Sequence, residues 1–264
     1  MLFEILIGIF LVAAVILFFL YVFPMCTMHP LASGKIEGTD IITVKNRINN
    51  LFFIPQGRDW IVIDAGSDAG AVKREMKRMS IDGDRVKAVF LTHTDYDHVA
   101  SIVLFPNAAI YMNEQEKQMI DGSTYRQIFK KNRLPQLSDS NKIVYLSEYK
   151  MIEAVTNWSG GGVDETHGHQ QDALCKHQVR MIPAPGHTKG SAMYVVDEKY
   201  LFTGDAFKTA GGRILLHPYT MDRKQAKETL HRIKEELNKY EKVFTAHYGL
   251  VESDSHSRKA DIEK

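Results

Sequence analysis

Val86-Lys87-Ala88-Val89-Phe90-Leu91-Thr92-His93-Thr94-Asp95-Tyr96-Asp97-His98 is the stretch on which the reading of this chain turns. The run Val86–Leu91 has the apolar pattern of a buried strand. Four potential metal ligands, His93, Asp95, Asp97 and His98, follow it within six residues. Further along stand His187 in Pro-Gly-His-Thr-Lys-Gly-Ser, Asp205 in Thr-Gly-Asp-Ala, and His247 in Thr-Ala-His-Tyr-Gly. One such histidine alone is ordinarily a surface residue or a satisfied core residue. Imidazoles and carboxylates arriving in order at successive strand ends instead make a binuclear metal site, and that site is expected to define the function.

At 264 residues the chain holds one large domain with a substantial core. The net charge of +1 gives no basic field that argues for nucleic acid. A basic groove in a neutral protein is still conceivable, and the Lys130-Lys131-Asn132-Arg133 cluster is its one candidate, more simply read as a solvated helix end. Cys26 and Cys175 are far apart and form neither a CxxC motif nor a disulfide framework.

Ile5–Phe23 is an unbroken apolar run, about 28 Å long as a helix, close to the roughly 30 Å hydrocarbon thickness. It is expected to be an uncleaved single-pass membrane anchor; the alternative is a signal peptide cut near Leu31-Ala32-Ser33. Lys35, Lys45 and Arg47 follow the run and no Lys or Arg precedes it, so the positive-inside bias favours a cytoplasmic catalytic domain.

From Ile41 the pattern is strand-rich: Ile41–Val44, Asn50–Ile54 and Trp60–Gly66, the last two joined by a turn at Gln56–Asp59. Ala69–Met79 reads as a helix, with Val72, Met76 and Met79 on one face. Ala108–Met112 and Lys142–Leu146 read as strands, and Asn113–Ile120 and Tyr125–Lys131 as helices. The loop 156–177 carries Trp158, a run of three glycines, and His167-Gly168-His169, and is the least readable part. Val179–Ile182, Ala192–Val196, Tyr200–Phe202 and the strand-like Arg213–Leu216 follow. Asp222–Lys239 reads as an amphipathic helix with Ala226, Leu230, Ile233 and Leu237 inward, and Val243–Ala246 is the closing strand that presents His247. This order suits two sheets covered by helices, with the ligands at one edge of the sandwich.

Asp64-Ala65-Gly66, the His93–His98 motif, His187, Asp205 and His247, taken as an ordered set, resemble the metallo-β-lactamase-fold hydrolases over roughly Ile41 to Leu250. The resemblance implies an α/β fold, a four-layer αββα sandwich with two metal ions at the sheet edge. It places His93, residue 95 and His187 on one ion, Asp97, His98 and His247 on the other, and Asp205 between them. Two divalent ions about 3.5–4 Å apart share a hydroxide and clamp the oxyanion that forms on attack, so no Ser, Cys or Lys nucleophile is required. Asp97 both binds metal and orients that hydroxide. Asp64 becomes a carboxylate behind the ligating imidazoles that fixes their orientation; a turn-capping aspartate is the plainer alternative. The expected organisation is a transmembrane helix over 1–23, a stalk over 24–40, the catalytic domain over 41–250 and a polar tail over 251–264.

Asp95 departs from the family motif, which has histidine there. Aspartate is harder and anionic, and it moves the first site towards a mixed nitrogen and oxygen set that suits manganese or iron better than a histidine-rich zinc site does. The flavodiiron branch, and some members associated with DNA uptake, carry a carboxylate at the matching position. Zinc remains the first expectation, with manganese or iron as the alternatives that Asp95 opens.

Thr188 is expected to bond locally, and Lys189 to be a solvated charge. Trp158, His217 and Tyr248 are candidates for touching substrate, fixed by no motif; Tyr219 stands close to His217. His167 and His169 read as solvated loop residues. The functional expectation is a metal-dependent hydrolase of an ester, thioester, lactone or amide, acting on a small molecule and tied to the membrane by its N-terminal helix. The alternatives are a phosphodiesterase or nuclease of the same fold, a non-enzymatic membrane-bound metal or ligand-binding protein, and di-iron redox chemistry, which would require a flavin partner. Only about 14 residues follow Leu250, which sets the chain apart from glyoxalase-type thioesterases with their helical C-terminal domain. Antibiotic β-lactamase activity is not expected, because Asp95 departs from the motif of those enzymes.

Overall fold

The apolar run at the N-terminus folds as three unequal helical pieces in the structure, a computed structural model that describes residues 2–125, 132–147, 151–152 and 177–252. Leu2–Leu17 is an α-helix (α1) of 16 residues, Phe18–Val22 is π-helical, and Phe23–Cys26 is a single α-helical turn (α2). Pro24 has no N–H to donate back along the ladder, which disturbs the regular helix ahead of it. At 1.5 Å per residue α1 is about 24 Å long, short of the roughly 30 Å hydrocarbon layer. No helix among the described residues is long and apolar enough to cross a membrane. The expected anchor over Ile5–Phe23, and the single-pass membrane localisation with a cytoplasmic catalytic domain that rested on it, are corrected by this finding.

Seven strands form the first sheet in chain order: β1 (Gly34–Lys35), β2 (Ile42–Asn46), β3 (Asn49–Gln56), β4 (Asp59–Ile63), β5 (Val86–Phe90), β6 (Ala109–Asn113) and β7 (Lys142–Leu146). Pairing is antiparallel from β1 to β4 and parallel from β4 to β7. The second sheet is built from β8 (Met151–Ile152), β9 (Val179–Pro183), β10 (Ala192–Val196), β11 (Tyr200–Phe202), β14 (Lys242–Phe244) and β15 (Leu250–Glu252), in the order β15-β14-β11-β10-β9-β8. Between them in sequence, β12 (Phe207–Ala210) and β13 (Arg213–Leu216) form a separate hairpin. Parallel neighbours need crossovers. These contain α3 (Ala69–Arg78) before β5, α4 (Tyr96–Val99) before β6, α5 (Lys117–Asp121) before β7, and α6 (Arg223–Lys234) before β14.

Alternation along the strands sorts side chains into three cores. Phe52, Ile54, Ile61, Ile63, Ala88 and Phe90 face Met181, Tyr194, Val196, Phe202 and Phe244 between the two sheets. The opposite faces of the same strands, with Leu51, Phe53, Val62 and Val89, pack against Val72 and Met76 of α3. Met193, Val195 and Leu201 likewise pack against Leu230 and Ile233 of α6. The layers run helix, sheet, sheet, helix. Because both faces of each central strand are covered, these strands read as continuous apolar runs rather than alternating ones. Burying each large aliphatic side chain contributes roughly 1.5–3 kcal/mol, so α6 is held by its apolar face more than by its own propensity.

Several elements differ from the sequence expectation. The helix expected over Asn113–Ile120 is a 3-10 turn at Glu114–Glu116 followed by α5. The helix expected to reach Lys239 ends at Lys234 and resumes as a 3-10 turn at Leu237–Lys239. β1 and β15 pair into the sheets from segments expected as stalk and tail. Lys130, Lys131, the loop candidates Trp158, His167 and His169, and Cys175 lie outside the described residues, as does most of the helix expected over Tyr125–Lys131.

Candidate metal centre

Five strands of the sandwich end at one place. Asp64 follows β4, the His93–His98 loop follows β5, His187 follows β9, Asp205 follows β11 and His247 follows β14. Rigid strands thereby deliver each ligand-type side chain with little freedom. Asp64 sits at φ 59°, a left-handed turn that reverses the chain as it leaves β4. Gly204 sits at φ 53°, and a Cβ there would stand 2.5 Å from the Thr92 side chain, so glycine allows Asp205 to approach the His93–His98 loop.

Asp205 stands at the centre, and its two oxygens face different groups. Oδ1 is 3.1 Å from His247 Nε2 and 3.5 Å from His98 Nε2. Oδ2 is 3.3 Å from His187 Nε2 and 3.9 Å from His93 Nε2. On the first side, Asp95 Oδ2 lies 3.3 Å from His187 Nε2 and 3.5 Å from His93 Nε2. On the second side, Asp97 Oδ2 lies 3.4 Å from His247 Nε2 and 3.6 Å from His98 Nε2. The side chains His93–Asp95–His187, His93–His98–Asp205 and Asp97–His98–His247 each converge closely enough to hold one ion. All seven residues expected at the metals are therefore in one cluster.

The neighbours of the imidazoles suit a cation. His98 Nδ1 lies 2.8 Å from Asp64 Oδ2, and His247 Nδ1 lies 2.7 Å from the Ile48 carbonyl, so each donates there and turns the lone pair of Nε2 inward. Asp64 also accepts from the Thr92 backbone N–H at 2.8 Å and from the Thr92 hydroxyl. His93 Nε2 and His98 Nε2 are fully buried with no hydrogen-bond partner. Buried polar atoms of this kind are costly unless something binds them, and here they point at the same space as the carboxylates. The donor set therefore fits divalent metal ions, nitrogen and oxygen ligands being competent for zinc, manganese or iron.

Charge in the cluster is divided unevenly. Burial, reinforced by His98, pushes the His93 imidazole down to about 4. Burial would also lower His98, but the carboxylates of Asp64, Asp97 and Asp205 outweigh it and hold the metal-free ring up at about 10, so a bound cation must displace its Nε2 proton. The Asp205 carboxyl is opposed by burial yet held well below its ordinary value by His247, His217, His98 and His187.

Two residues are placed here that sequence reasoning either missed or left open. Glu116, fully buried, accepts from the Thr94 N–H and hydroxyl at 2.8 and 2.7 Å and from the Thr188 hydroxyl at 2.8 Å. It ties the loop of His93–His98 to that of His187. A Cβ at Gly190 would stand 2.1 Å from the Glu116 backbone N, so the His187 loop packs against the Glu116 turn only because position 190 is glycine. His217, a substrate candidate from the sequence, is buried with Nε2 3.7 Å from Asp205 Oδ2, and forms with His187 and Asp205 a fourth convergent group. Tyr248 packs its ring 5.8 Å from that of His217, and burial pushes its hydroxyl up to about 12. Thr188 bonds locally to Ser191 as expected, and Lys189 is exposed, 3.4 Å from Gln118.

A family model described as the Metallo-beta-lactamase superfamily matches residues 44–247. A hydroxyacylglutathione hydrolase of Glaesserella parasuis is 30% identical over 61% of this chain, and the match spans 50% of that enzyme's length. A Bacillus subtilis protein described as "Probable polyketide biosynthesis zinc-dependent hydrolase PksB" is 27% identical over 76% of this chain and 72% of its own. Among solved structures, a beta-lactamase from Chitinophaga pinensis superposes with a TM-score of 0.57 at 20% identity, covering 82% of this chain and 78% of that one. A Cronobacter sakazakii metallo-beta-lactamase with a HARLDQ motif gives a TM-score of 0.58 at 16% identity, covering 85% of this chain and 81% of that one. At these identities the structural likeness speaks for the fold alone.

Proposed function

Because the chain belongs to the metallo-β-lactamase superfamily, we propose that it is a metal-dependent hydrolase cleaving an ester, thioester, lactone or amide-type bond of a small molecule. The observation that carries this reading is the division of Asp205, one oxygen towards His93 and His187, which converge with Asp95, and the other towards His98 and His247, which converge with Asp97. In this reading His93, Asp95 and His187 would hold one ion and Asp97, His98 and His247 a second, with Asp205 lying between the two sets. Zinc is the first assignment, in line with the zinc-dependent hydrolase among the relatives; manganese and iron compete for the site because of Asp95. Two cations held there would supply Lewis acidity and lower the pKa of a bound water towards neutral pH.

The chain's own residues do the rest. Asp64 holds His98 in the tautomer whose Nε2 faces inward. Asp97, half-exposed at the rim beside His98 and His247, is placed to accept a hydrogen bond from the attacking water and so orient it. Glu116 keeps the two ligand loops in register. A thioester is the first substrate class to try, given the hydroxyacylglutathione hydrolase at 30% identity. Residues 41–250 are taken as the catalytic domain.

Elemental analysis after reconstitution with zinc, manganese or iron, together with a panel of ester, thioester, lactone and amide substrates, tests the proposal. Two metal ions per chain and turnover of at least one class are expected. Trace metal only, or a metal-loaded protein inert towards the whole panel, overturns it.

A further inference from the structure

Tyr248 belongs to two neighbourhoods at once. On one side its ring lies 6.3 Å from that of His247 and 5.8 Å from that of His217. On the other it lines a cavity of about 600 Å³, together with His29–Leu31, the β12–β13 turn at Thr209–Gly212, and β15. That volume lies in the range of small-molecule sites. The cavity therefore adjoins the proposed metal centre, with one aromatic ring between them.

Hydrogen bonds hold its walls to the segment that carries His247. The His29 N–H donates to the His247 carbonyl at 2.8 Å, and the Thr209 hydroxyl donates to the carbonyl of Tyr248. The buried Asn50 side chain accepts from the Leu31 N–H at 2.8 Å and donates to the Leu31 carbonyl at 2.9 Å, while its own backbone N–H reaches the Ala246 carbonyl. His29–Leu31 and Gly249–Glu252 flank the matched region 44–247, so this chain walls the cavity with segments outside the part it shares with the family model. Pro30, Leu31, Ala210, Gly211, Leu250 and Val251 give that wall a mostly carbon surface. Among the described residues no Lys or Arg lines it, and its one carboxylate, Glu252, is bonded to Lys242. His29 turns Nδ1 to the Thr27 carbonyl at 2.9 Å. An anionic group would leave water here without a Lys or Arg to pair with, whereas a neutral alkyl chain carries no such cost.

Resting on the hydrolase reading above, we infer that this cavity binds a neutral alkyl chain, the acyl chain of an ester or thioester whose carbonyl lies at the metal-ligand cluster. The chain passes the Tyr248 ring and buries its methylenes beside Leu31, Leu250 and Val251. Each methylene taken out of water strengthens binding by about 3-fold. Contacts this far from the reacting bond orient the carbonyl, and an acetyl group is too short to make them. The preferred substrate is therefore an uncharged acyl group of several carbons.

Primary n-alkanols from ethanol to 1-octanol, titrated into the full chain by calorimetry, test the cavity without any turnover. Saturable binding is expected, with affinity rising about 3-fold per methylene. Ala210 stands at the exposed end of β12, where a larger side chain meets the cavity rather than a core. Ala210→Phe, which fills the space, and Ala210→Asp, which places a charge in it, should each weaken 1-octanol at least about 10-fold. The apolar α1 is common to all three proteins, so the difference between them reads the cavity. In parallel, p-nitrophenyl esters from acetyl to decanoyl, offered to the zinc-loaded chain, should show kcat/KM rising with chain length, and the octanoyl-to-acetyl ratio should fall at least about 10-fold in both variants. Chain-length-dependent alkanol binding that both variants lose, with no ester hydrolysed, upholds the alkyl site and sinks only the hydrolase reading. Alkanol affinity that ignores chain length or is unchanged in both variants overturns the inference, as does an octanoyl-to-acetyl ratio that stays at the parent's value.

Discussion

The Glu116 carboxylate accepts a hydrogen bond from the Thr188 hydroxyl at 2.8 Å, across 72 residues of sequence and between two loops that each carry metal-ligand candidates. Its other oxygen takes the Thr94 N–H and hydroxyl, so one buried side chain satisfies three donors. Removing it leaves those donors without an acceptor, each at a cost of about 1–3 kcal/mol before relaxation. Glu116→Ala should lower stability by about 2–4 kcal/mol, read from the urea midpoint, and weaken metal retention because both loops loosen. Glu116→Gln, which keeps one acceptor oxygen, should lose less. A Glu116→Ala protein with the parent's midpoint and metal content would make the clamp dispensable.

Asp97 is the carboxylate nearest both His98 and His247 that is also open to solvent, its side chain 27% exposed against 5% for Asp205. Among the carboxylates of the cluster it is the most exposed, Asp95 being 16% exposed, which fits its proposed role of meeting an entering water. Asp97→Ala should therefore reduce kcat by on the order of 10²-fold or more on whichever substrate the panel reveals. Near-parent turnover at full metal loading removes Asp97 from the mechanism.

How the sequence exposed this site follows from its geometry. Each ligand sits just beyond a strand end, and strands buried on both faces read as short apolar runs, so Val86–Leu91 and the residues after it announced themselves. Glu116 carried no such signal: Asn113-Glu114-Gln115-Glu116-Lys117 reads as a solvated helix start, and only the tertiary approach of Gly190 buries its fourth acidic or amide side chain. His217 depended on the hairpin register, and Phe207–Ala210 has too few apolar residues to be read as a strand unaided. The N-terminal run failed for a different reason. Hydropathy counts apolar residues but not the helical ladder, which Pro24 and the π-helical stretch interrupt.

Metal removal should be visible in stability as well as activity. His93 Nε2 and His98 Nε2 are buried without hydrogen bonds, beside three carboxylates that repel one another in the absence of a cation. A ligand that binds only the folded state at about 100 times its Kd adds about 2.7 kcal/mol. For a domain of this size that corresponds to about 5–10 °C in Tm. Thermal unfolding before and after chelation, with zinc added back, checks this; superimposable melting curves would mean that the cluster is stable as it stands and is not completed by metal.

In the proposed site, Asp95 is the residue expected to set which metal the first set of ligands prefers. Asn132 Nδ2 donates to its Oδ1 at 3.0 Å, which orients the carboxylate and leaves Oδ2 facing His93 and His187. An anionic oxygen held in that position favours harder ions than a third imidazole would. If Asp95 tunes the first site away from zinc, the first assignment, the parent protein should show its greatest activity with manganese or iron. Asp95→His restores an imidazole-rich set and should shift the preference towards zinc. Residue 95 precedes α4 in extended conformation and its side chain makes no capping bond to that helix, so the exchange does not cost the helix its N-cap. Competition for the reconstituted site between zinc and manganese, measured by elemental analysis of parent and variant, separates the outcomes. An unchanged ratio would show that Asp95 does not set selectivity and would leave zinc as the assignment for both sites.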